Sequence, residues 1–135
     1  MKVVLAVNCP VCEQEVMIVL ELDNVEVDYC VGCQGVWLDE GELELLLDET
    51  ERKEELLYSI AAAVNIRERT IVCPICGIEM SKMKLGETEV IIDKCPENHG
   101  LWFEQGELEE IIDLSTSQSD NKILSFLRNI FDYQE

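Results

Sequence analysis

Alternating apolar and polar positions mark a β-hairpin near the start of this 135-residue chain. Residues 16–22 and 25–29 both follow the two-residue period of a strand with one apolar face. Asp23 and Asn24 between them tolerate the positive φ angles of a two-residue turn. A short apolar run at residues 3–7 precedes the pair. The pattern therefore predicts a lead-in strand followed by a tight hairpin.

A second, looser hairpin is predicted later in the chain. Residues 71–72 repeat the lead-in strand, and Gly86 lies at the turn of this hairpin. Its apolar surface comes from Met80, Met83, Leu85, Val90, Ile91 and Ile92. The chain therefore reads as one small unit that occurs twice.

A helix is predicted directly after each hairpin. Asp39 suits the N-cap and Glu42 lies three residues later, which is an aspartate version of the capping box. Leu38 and Leu43 occupy the positions of a hydrophobic staple. The corresponding residues of the second repeat are Phe103, Glu104, Glu107 and Leu108. Whether residues 40–65 form one helix or two stays open.

Two further helices are expected outside these units. Residues 51–68 carry an apolar stripe with charges on the other side, which predicts a connecting helix that holds the repeats in a fixed relation. Residues 115–135 read as a polar linker and an amphipathic C-terminal helix. This last helix is expected to cover apolar surface of the hairpins. The alternatives are self-association through residues 121–133 and binding in a partner's groove.

Cysteine pairs precede and follow each hairpin. A Cys-x-x-Cys turn, or knuckle, directs two sulfur atoms toward one point, and two knuckles joined by a hairpin complete a tetrahedral metal site. The predicted ligands are Cys9, Cys12, Cys30 and Cys33 in the first repeat, and Cys73, Cys76, Cys95 and His99 in the second. These sets use all seven cysteines and the single histidine. Knuckle, hairpin and knuckle in this order are the layout of a zinc ribbon.

Zinc is the metal that these ligands favour. Three thiolates with one imidazole are typical of structural zinc, and the shared architecture extends this assignment to the four-thiolate set. His99 lies one place beyond the position that corresponds to Cys33, where the chain has Asn98, and a side-chain amide is a poor zinc ligand. Iron, as in rubredoxin-type electron carriers, stays an alternative for the four-thiolate site.

Each repeat also contains a Gly-x-Trp step, with Trp37 in the first repeat and Trp102 in the second. We expect each indole ring to lie against its knuckle and to shield the metal from water. Catalysis is not expected, because a catalytic zinc keeps one coordination position open and both predicted sets are closed. The only histidine, His99, is used as a ligand and is not free to act as a general base.

The net charge of −19 bears on the choice of partner. Nucleic-acid affinity rests largely on lysine and arginine, and the ten basic residues form no stripe along the chain. The less acidic second repeat contains Arg67, Arg69, Lys82, Lys84 and Lys94. No apolar run approaches the roughly 18 residues of a membrane span, and no secretory signal is visible. With clustered thiols that need a reducing compartment, the expectation is a soluble cytoplasmic protein.

Both repeats resemble the zinc-ribbon family named after transcription factor IIB, also written zf-TFIIB. The pattern is Cys-Pro-x-Cys, a hairpin, then Cys-x-x-Cys-x-Gly-x-Trp-Leu-Asp-x-Gly-Glu-Leu; residues 9–47 follow it closely, and residues 73–112 depart from it at His99, Phe103 and Glu104. The resemblance implies a small α+β, metal-stabilised fold with two tandem zinc ribbons and, by the family's name, a link to transcription. The expected domains are ribbon 1 with its helix (1–50), the connecting helix (51–68), ribbon 2 with its helix (69–114) and the tail (115–135).

Several functions are compatible with this reading. The first is a non-enzymatic adaptor that presents anionic ribbon faces to a basic or mixed protein surface. The second is a nucleic-acid-binding transcriptional regulator that acts through the second ribbon. Weaker alternatives are a zinc store or carrier and an iron electron carrier.

Overall fold

Seven antiparallel strands and three short helices make up the described part of the computed structural model, which covers residues 7–22, 24–48, 50–64, 66–86 and 88–116. In chain order the elements are β1 (Ile18–Leu22), β2 (Val25–Tyr29), β3 (Val36–Asp39), α1 (Glu42–Leu46), α2 (Lys53–Tyr58), β4 (Ile60–Ala62), β5 (Ser81–Leu85), β6 (Ile91–Lys94), β7 (Gly100–Phe103) and α3 (Glu107–Ser115). No helix among these residues has the length and apolar character that crossing a membrane requires.

The strands form a single sheet in the order β1-β2-β3-β7-β6-β5-β4. The two repeats meet at its centre, where β3 pairs with β7 and Trp37 lies opposite Trp102. The same residue of each repeat therefore faces its counterpart, as at the interface of a symmetric dimer. The sheet runs without a break from one repeat into the other.

The predicted hairpins are present. Leu22 pairs with Val25, and Asn24 has a φ of 70°, which is the left-handed conformation expected for the two-residue turn. The second hairpin, between β5 and β6, has a longer turn in which the Thr88 hydroxyl donates to the Leu85 carbonyl oxygen. Residues 3–6 of the predicted lead-in strand lie outside the described residues. Val7 accepts a hydrogen bond from the Met17 amide at 2.8 Å.

Alternation along β3 and β7 sends side chains to two different cores. Val36 and Leu38 of β3, with Leu101 and Phe103 of β7, pack on the face that α1 and α3 cover. The two tryptophans between them point to the opposite face, where they join four of the cysteines. That metal-side core contains Cys9, Met17, Cys30, Trp37, Ile71, Cys73, Met80, Cys95 and Trp102. Both cores draw on both repeats.

The helix starts differ from the predicted capping. Gly41, not Asp39, is the N-cap of α1, with a φ of 89° and no side-chain cap. Only one of the two hydrogen bonds of the predicted capping box is present: the Asp39 amide donates to the Glu42 carboxylate at 2.6 Å. The Asp39 side chain instead accepts the indole N–H of Trp37. In the second repeat the N-cap is Gly106, and Glu107 accepts the amide of Glu104.

The connecting segment is not one helix, and the prediction for residues 51–68 was wrong in extent. Among its described residues the segment is helical only at α2, after which β4 pairs with the outer edge of β5, with Ile60 opposite Leu85. Pairing with an open sheet edge outweighs the helical propensity of these residues. In the described part of residues 40–65 there are two short helices instead of one, and both end before β4.

The expected polar linker does not begin at Ser115. This residue is the last of α3, is fully buried, and shares a hydrogen bond between hydroxyls with Thr50 at the end of the first repeat. Thr116 is also buried. Residues 117–135, with the predicted C-terminal helix and the self-association surface at 121–133, lie outside the described residues.

Candidate metal centres

The first predicted ligand set comes together at one point. Its four sulfur atoms lie within 4.8 Å of one another, with 3.6 Å between Cys9 and Cys33 and 3.8 Å between Cys12 and Cys30. Cys9 and Cys30 are buried, whereas Cys12 and Cys33 are partly exposed. The first cysteine of each knuckle thus faces the core and the second lies toward the surface.

The second set is built in the same way. Its ligand atoms also lie within 4.8 Å of one another, with 3.7 Å between the sulfurs of Cys76 and Cys95. The Nδ1 atom of His99 is 3.4 Å from the Cys95 sulfur. Cys73 and Cys95 are buried, and Cys76 is exposed. The structure therefore brings together all eight side chains that the sequence singled out, in two groups.

Local backbone geometry directs the sulfurs inward. Backbone amides two and three positions further along donate to the first cysteine, from Val11 and Cys12 to the Cys9 sulfur at 3.4 and 3.3 Å. Similar N–H···S bonds run from Ile75 to Cys73 and from Glu97 to Cys95. Because these amides stabilise a thiolate, the knuckles that begin at Cys9, Cys73 and Cys95 are prepared to bind a cation.

Three knuckles close with a left-handed residue directly after the second cysteine. The residues are Glu13, Gln34 and Gly77, with φ angles of 62°, 63° and 76°. In each, the amide of this residue donates to the carbonyl of the first cysteine, four positions earlier. The turn allows the two sulfurs to point the same way.

The fourth knuckle has a tighter turn, and this explains why its second ligand is a histidine one position later than the corresponding cysteine. Here Asn98 is the left-handed residue, with a φ of 61°, and its amide donates to the Cys95 carbonyl only three positions earlier. His99 then follows as the ligand. The loop is no longer than in the first repeat, because Cys95 bonds to the Gly100 carbonyl as Cys30 bonds to that of Gly35. Asn98 serves the turn and His99 serves the metal.

The spacing of these atoms fits zinc. A tetrahedral ion with Zn–S bonds of about 2.3 Å and Zn–N bonds of about 2.0 Å sets the sulfurs about 3.8 Å apart and places the nitrogen about 3.5 Å from a sulfur. The separations in the structure, 3.6–3.8 Å between sulfurs and 3.4 Å between the His99 nitrogen and the Cys95 sulfur, are close to these values. A disulfide would need about 2.05 Å. The two groups hold two structural zinc ions.

Ionisation of the thiols in the second site is uneven. Burial alone would raise the pKa of Cys95, but hydrogen bonds from the backbone amides of His99 and Glu97 outweigh it and lower that pKa to about 7. Burial raises the pKa of Cys73 to about 11. Of these two thiols Cys95 therefore ionises more readily, and Cys73 must give up its proton when a zinc ion binds.

The first site shows the same division. Despite its burial, the pKa of Cys30 is lowered by the backbone hydrogen bond of Cys33, while burial raises the pKa of Cys12 to about 11. Burial also raises the pKa of Cys33. Zinc binding must displace protons from such thiols, so zinc affinity falls as the pH falls.

The tryptophans cross between repeats, which the sequence did not predict. A Cβ atom on Gly100 would lie 2.6 Å from the Trp37 ring, and one on Gly35 would lie 2.2 Å from the Trp102 ring. Each ring thus lies over the glycine beside the other repeat's second knuckle. Each ring was expected to lie against its own knuckle, and the structure adds a contact of each ring with the other repeat. Each Gly-x-Trp step was visible in the sequence, but their pairing depends on the β3–β7 register.

Two polar contacts reinforce this crossing. The Glu40 amide donates to the carbonyl oxygen of His99 at 3.1 Å, which connects the start of the first helix to a zinc ligand of the second repeat. On the other side, the Gln105 side chain donates to that of Gln34. Neither contact could be predicted from the sequence, because each joins residues that lie in different repeats.

Comparison with known proteins supports the repeat pattern. A comparison with curated proteins and one with solved structures found no match to this chain. The family model described as "Transcription factor zinc-finger" matches residues 8–49 and residues 72–114. These two segments cover more than half of the chain and contain every ligand of the two metal groups. The chain therefore belongs to the transcription factor zinc-finger family, as two tandem zinc ribbons.

Proposed function

We propose that this protein is a non-enzymatic zinc protein that acts as an adaptor for a protein partner with a basic or mixed surface. The observation that carries the proposal is that each metal group takes four ligands from the chain itself. A catalytic zinc needs an open coordination position, and four protein ligands leave none. The zinc ions then stabilise a rigid surface, and the function lies in that surface.

The charge of the chain supports a protein partner with basic groups. A net charge of −19 repels phosphate backbones and attracts cationic surfaces over distances of about a Debye length, roughly 8–10 Å. Electrostatic attraction of this kind mainly raises the rate of encounter and selects against acidic partners.

The alternative of nucleic-acid binding depends on basic residues of the second repeat. One of them, Lys82, is only 12% exposed and lies 2.7 Å from Asp93 and 3.8 Å from Glu68. It also donates to the carbonyl of Arg69. A lysine held in this way has little capacity to neutralise a phosphate, which weighs against the regulator hypothesis.

The test combines binding with metal content. The zinc-loaded full chain is titrated with a DNA duplex and with single-stranded RNA at rising salt, and the same sample is used for affinity capture from its source cells. We expect no salt-sensitive nucleic-acid binding, a reproducible protein partner, and two zinc ions per chain. Tight nucleic-acid binding at low ionic strength would overturn the adaptor assignment. Iron in the four-thiolate site would instead favour the electron carrier.

A further inference from the structure

A cleft of about 280 Å³, which we name the inter-repeat cleft, lies where the two repeats meet. Leu43 of α1 and Leu101 of β7, one from each repeat, contribute to the apolar floor of the cleft. Leu57, Ile60 and Met83 add the remainder, from the connecting segment and β5. Leu43 is buried, and the others are partly buried side chains that pack against the main core. The floor of the cleft is therefore apolar and supported from behind.

The rim of the cleft is acidic. Asp39, Glu40 and Glu44 line it from the first repeat, and all three are exposed. Lys94 is the single basic residue among the lining residues. An occupant of this cleft therefore meets an apolar surface below and an excess of negative charge around it.

The size of the cleft limits what it can hold. Sites for drug-sized molecules and cofactors usually measure about 300–1,000 Å³, and they enclose most of the ligand. This cleft is slightly smaller and open to solvent, which suits one or two side chains of a larger partner. Peptide recognition commonly uses such a pocket for an apolar anchor, with flanking charges for specificity.

The cleft exists only when both repeats are folded and joined. One side is formed by Asn98 and Gly100, which flank the zinc ligand His99. The Glu40 amide at the rim is bonded to the His99 carbonyl. The geometry of the rim thus depends directly on the second metal site.

We propose that the inter-repeat cleft binds a basic peptide segment of a protein partner, with one apolar side chain on the floor and lysine or arginine residues at the rim. The charge complementarity between such a segment and the carboxylates of Asp39, Glu40 and Glu44 selects this occupant. The inference rests on the proposed adaptor function and specifies the part of the surface that performs it.

The rim is tested with a labelled probe peptide, Lys-Lys-Leu-Lys-Lys, and the zinc-loaded full chain. The double substitution Glu40→Lys with Glu44→Lys should reduce affinity at least about tenfold, because reversing two rim charges removes two weak ion pairs and adds two repulsions. Glu21→Lys with Glu110→Lys changes the net charge equally at exposed positions outside the cleft, and should have a much smaller effect. Equal losses for the two pairs would overturn the proposal.

The floor is tested through discrimination between anchors. The wild-type chain should bind the Leu probe more tightly than the matched Lys-Lys-Ser-Lys-Lys peptide. Leu57→Asn should remove most of this preference, whereas Leu45→Asn, at a 59% exposed leucine of α1 outside the cleft, should retain it. Zinc content and circular dichroism establish that each variant is folded. An anchor preference that survives Leu57→Asn in a folded protein would contradict the assignment.

The chain's own tail is the competing occupant. Leu127→Ser with Phe131→Ser in the full chain should leave probe affinity unchanged. A tenfold rise would mean that the tail fills the cleft, and would overturn a partner as the occupant. Failure of the cleft and failure of the adaptor role remain distinguishable: a captured partner whose binding ignores Glu40→Lys with Glu44→Lys refutes only the cleft, whereas tight DNA binding refutes the adaptor role.

Discussion

The first repeat closes its zinc site with Cys33, and the second does so with His99 in a turn that is one residue tighter. In both repeats the same backbone hydrogen bond joins the two ends of the second knuckle: the amide of its first cysteine donates to the carbonyl oxygen of the glycine five residues later. The frame of the loop is therefore constant, and the ligand changes within it. A longer side chain one place further along reaches the same point, provided that the residue before it tolerates a positive φ, as asparagine does.

The two tryptophans differ more than the two metal sites. Trp37 donates its indole N–H to the Asp39 carboxylate at 3.0 Å. In the second repeat the corresponding residue is Glu104, and the indole nitrogen of Trp102 is buried with no hydrogen-bond partner in the described part of the protein. One methylene group in the acid thus separates a satisfied donor from an unsatisfied one. The two repeats therefore share the packing of their indole rings but differ in the hydrogen bonding of the indole N–H groups.

The largest effect is expected when one zinc site loses a ligand and the zinc content of the other site is followed. The sequence alone predicts that Cys30→Ser releases one zinc and leaves the second ribbon loaded. The shared sheet and cores predict instead that both zinc ions are lost together, because structural zinc contributes about 10–16 kcal/mol and a small domain has only about 5–15 kcal/mol of net stability. Zinc per chain from native mass spectrometry, with near-UV circular dichroism, measures this.

The matched control is Asn98→Gly, which keeps the positive φ and removes no ligand. It should retain two zinc ions, with a stability change within about 1 kcal/mol. Retention of one tightly bound zinc and a folded second repeat in Cys30→Ser would show that the repeats are independent modules.

A smaller effect is expected from adding a methyl group at a glycine where the two repeats are in close contact. In Gly100→Ala, the new methyl group would lie 2.2 Å from the Leu38 carbonyl oxygen and 2.6 Å from the Trp37 ring. We expect destabilisation of about 3 kcal/mol or more, and somewhat less for Gly35→Ala, where the main clash is with the Trp102 ring. Gly32→Ala meets only ordinary contacts of 3.5 Å or more and serves as the control. Urea denaturation of the zinc-loaded proteins gives the three values, and a Gly100→Ala protein as stable as Gly32→Ala would contradict the β3–β7 contact.

The smallest effect concerns the acids beside the tryptophans. Glu104→Asp gives the second repeat the shorter side chain that accepts the indole N–H in the first, and should stabilise the protein by about 1 kcal/mol. Asp39→Glu is the reciprocal change and should cost about the same amount. Thermal unfolding of both variants, with indole proton shifts from NMR, tests the pair. Opposite signs are required, and a loss of stability in both would refute the explanation.

Much of this architecture was predictable because it is local. The hairpin turn at Asn24, the ligands of each knuckle and the helices that follow each hairpin depend on residues only a few positions apart. The predicted connecting helix failed for a nonlocal reason. Residues 60–62 have helical spacing, but the open edge of β5 offers them backbone hydrogen bonds, and nothing near them in the sequence reveals that edge.

The amino-acid sequence by itself determined where each zinc binds and which side chains hold it, since a knuckle is a short turn and its ligands are set by spacing. Only the tertiary structure decided that the repeats share one sheet, that Trp37 and Trp102 cover each other's glycines, and that an acidic cleft lies between the repeats. These features arise from the pairing of β3 with β7. Such a pairing joins residues about 65 positions apart, and no local pattern selects it over two separate ribbons.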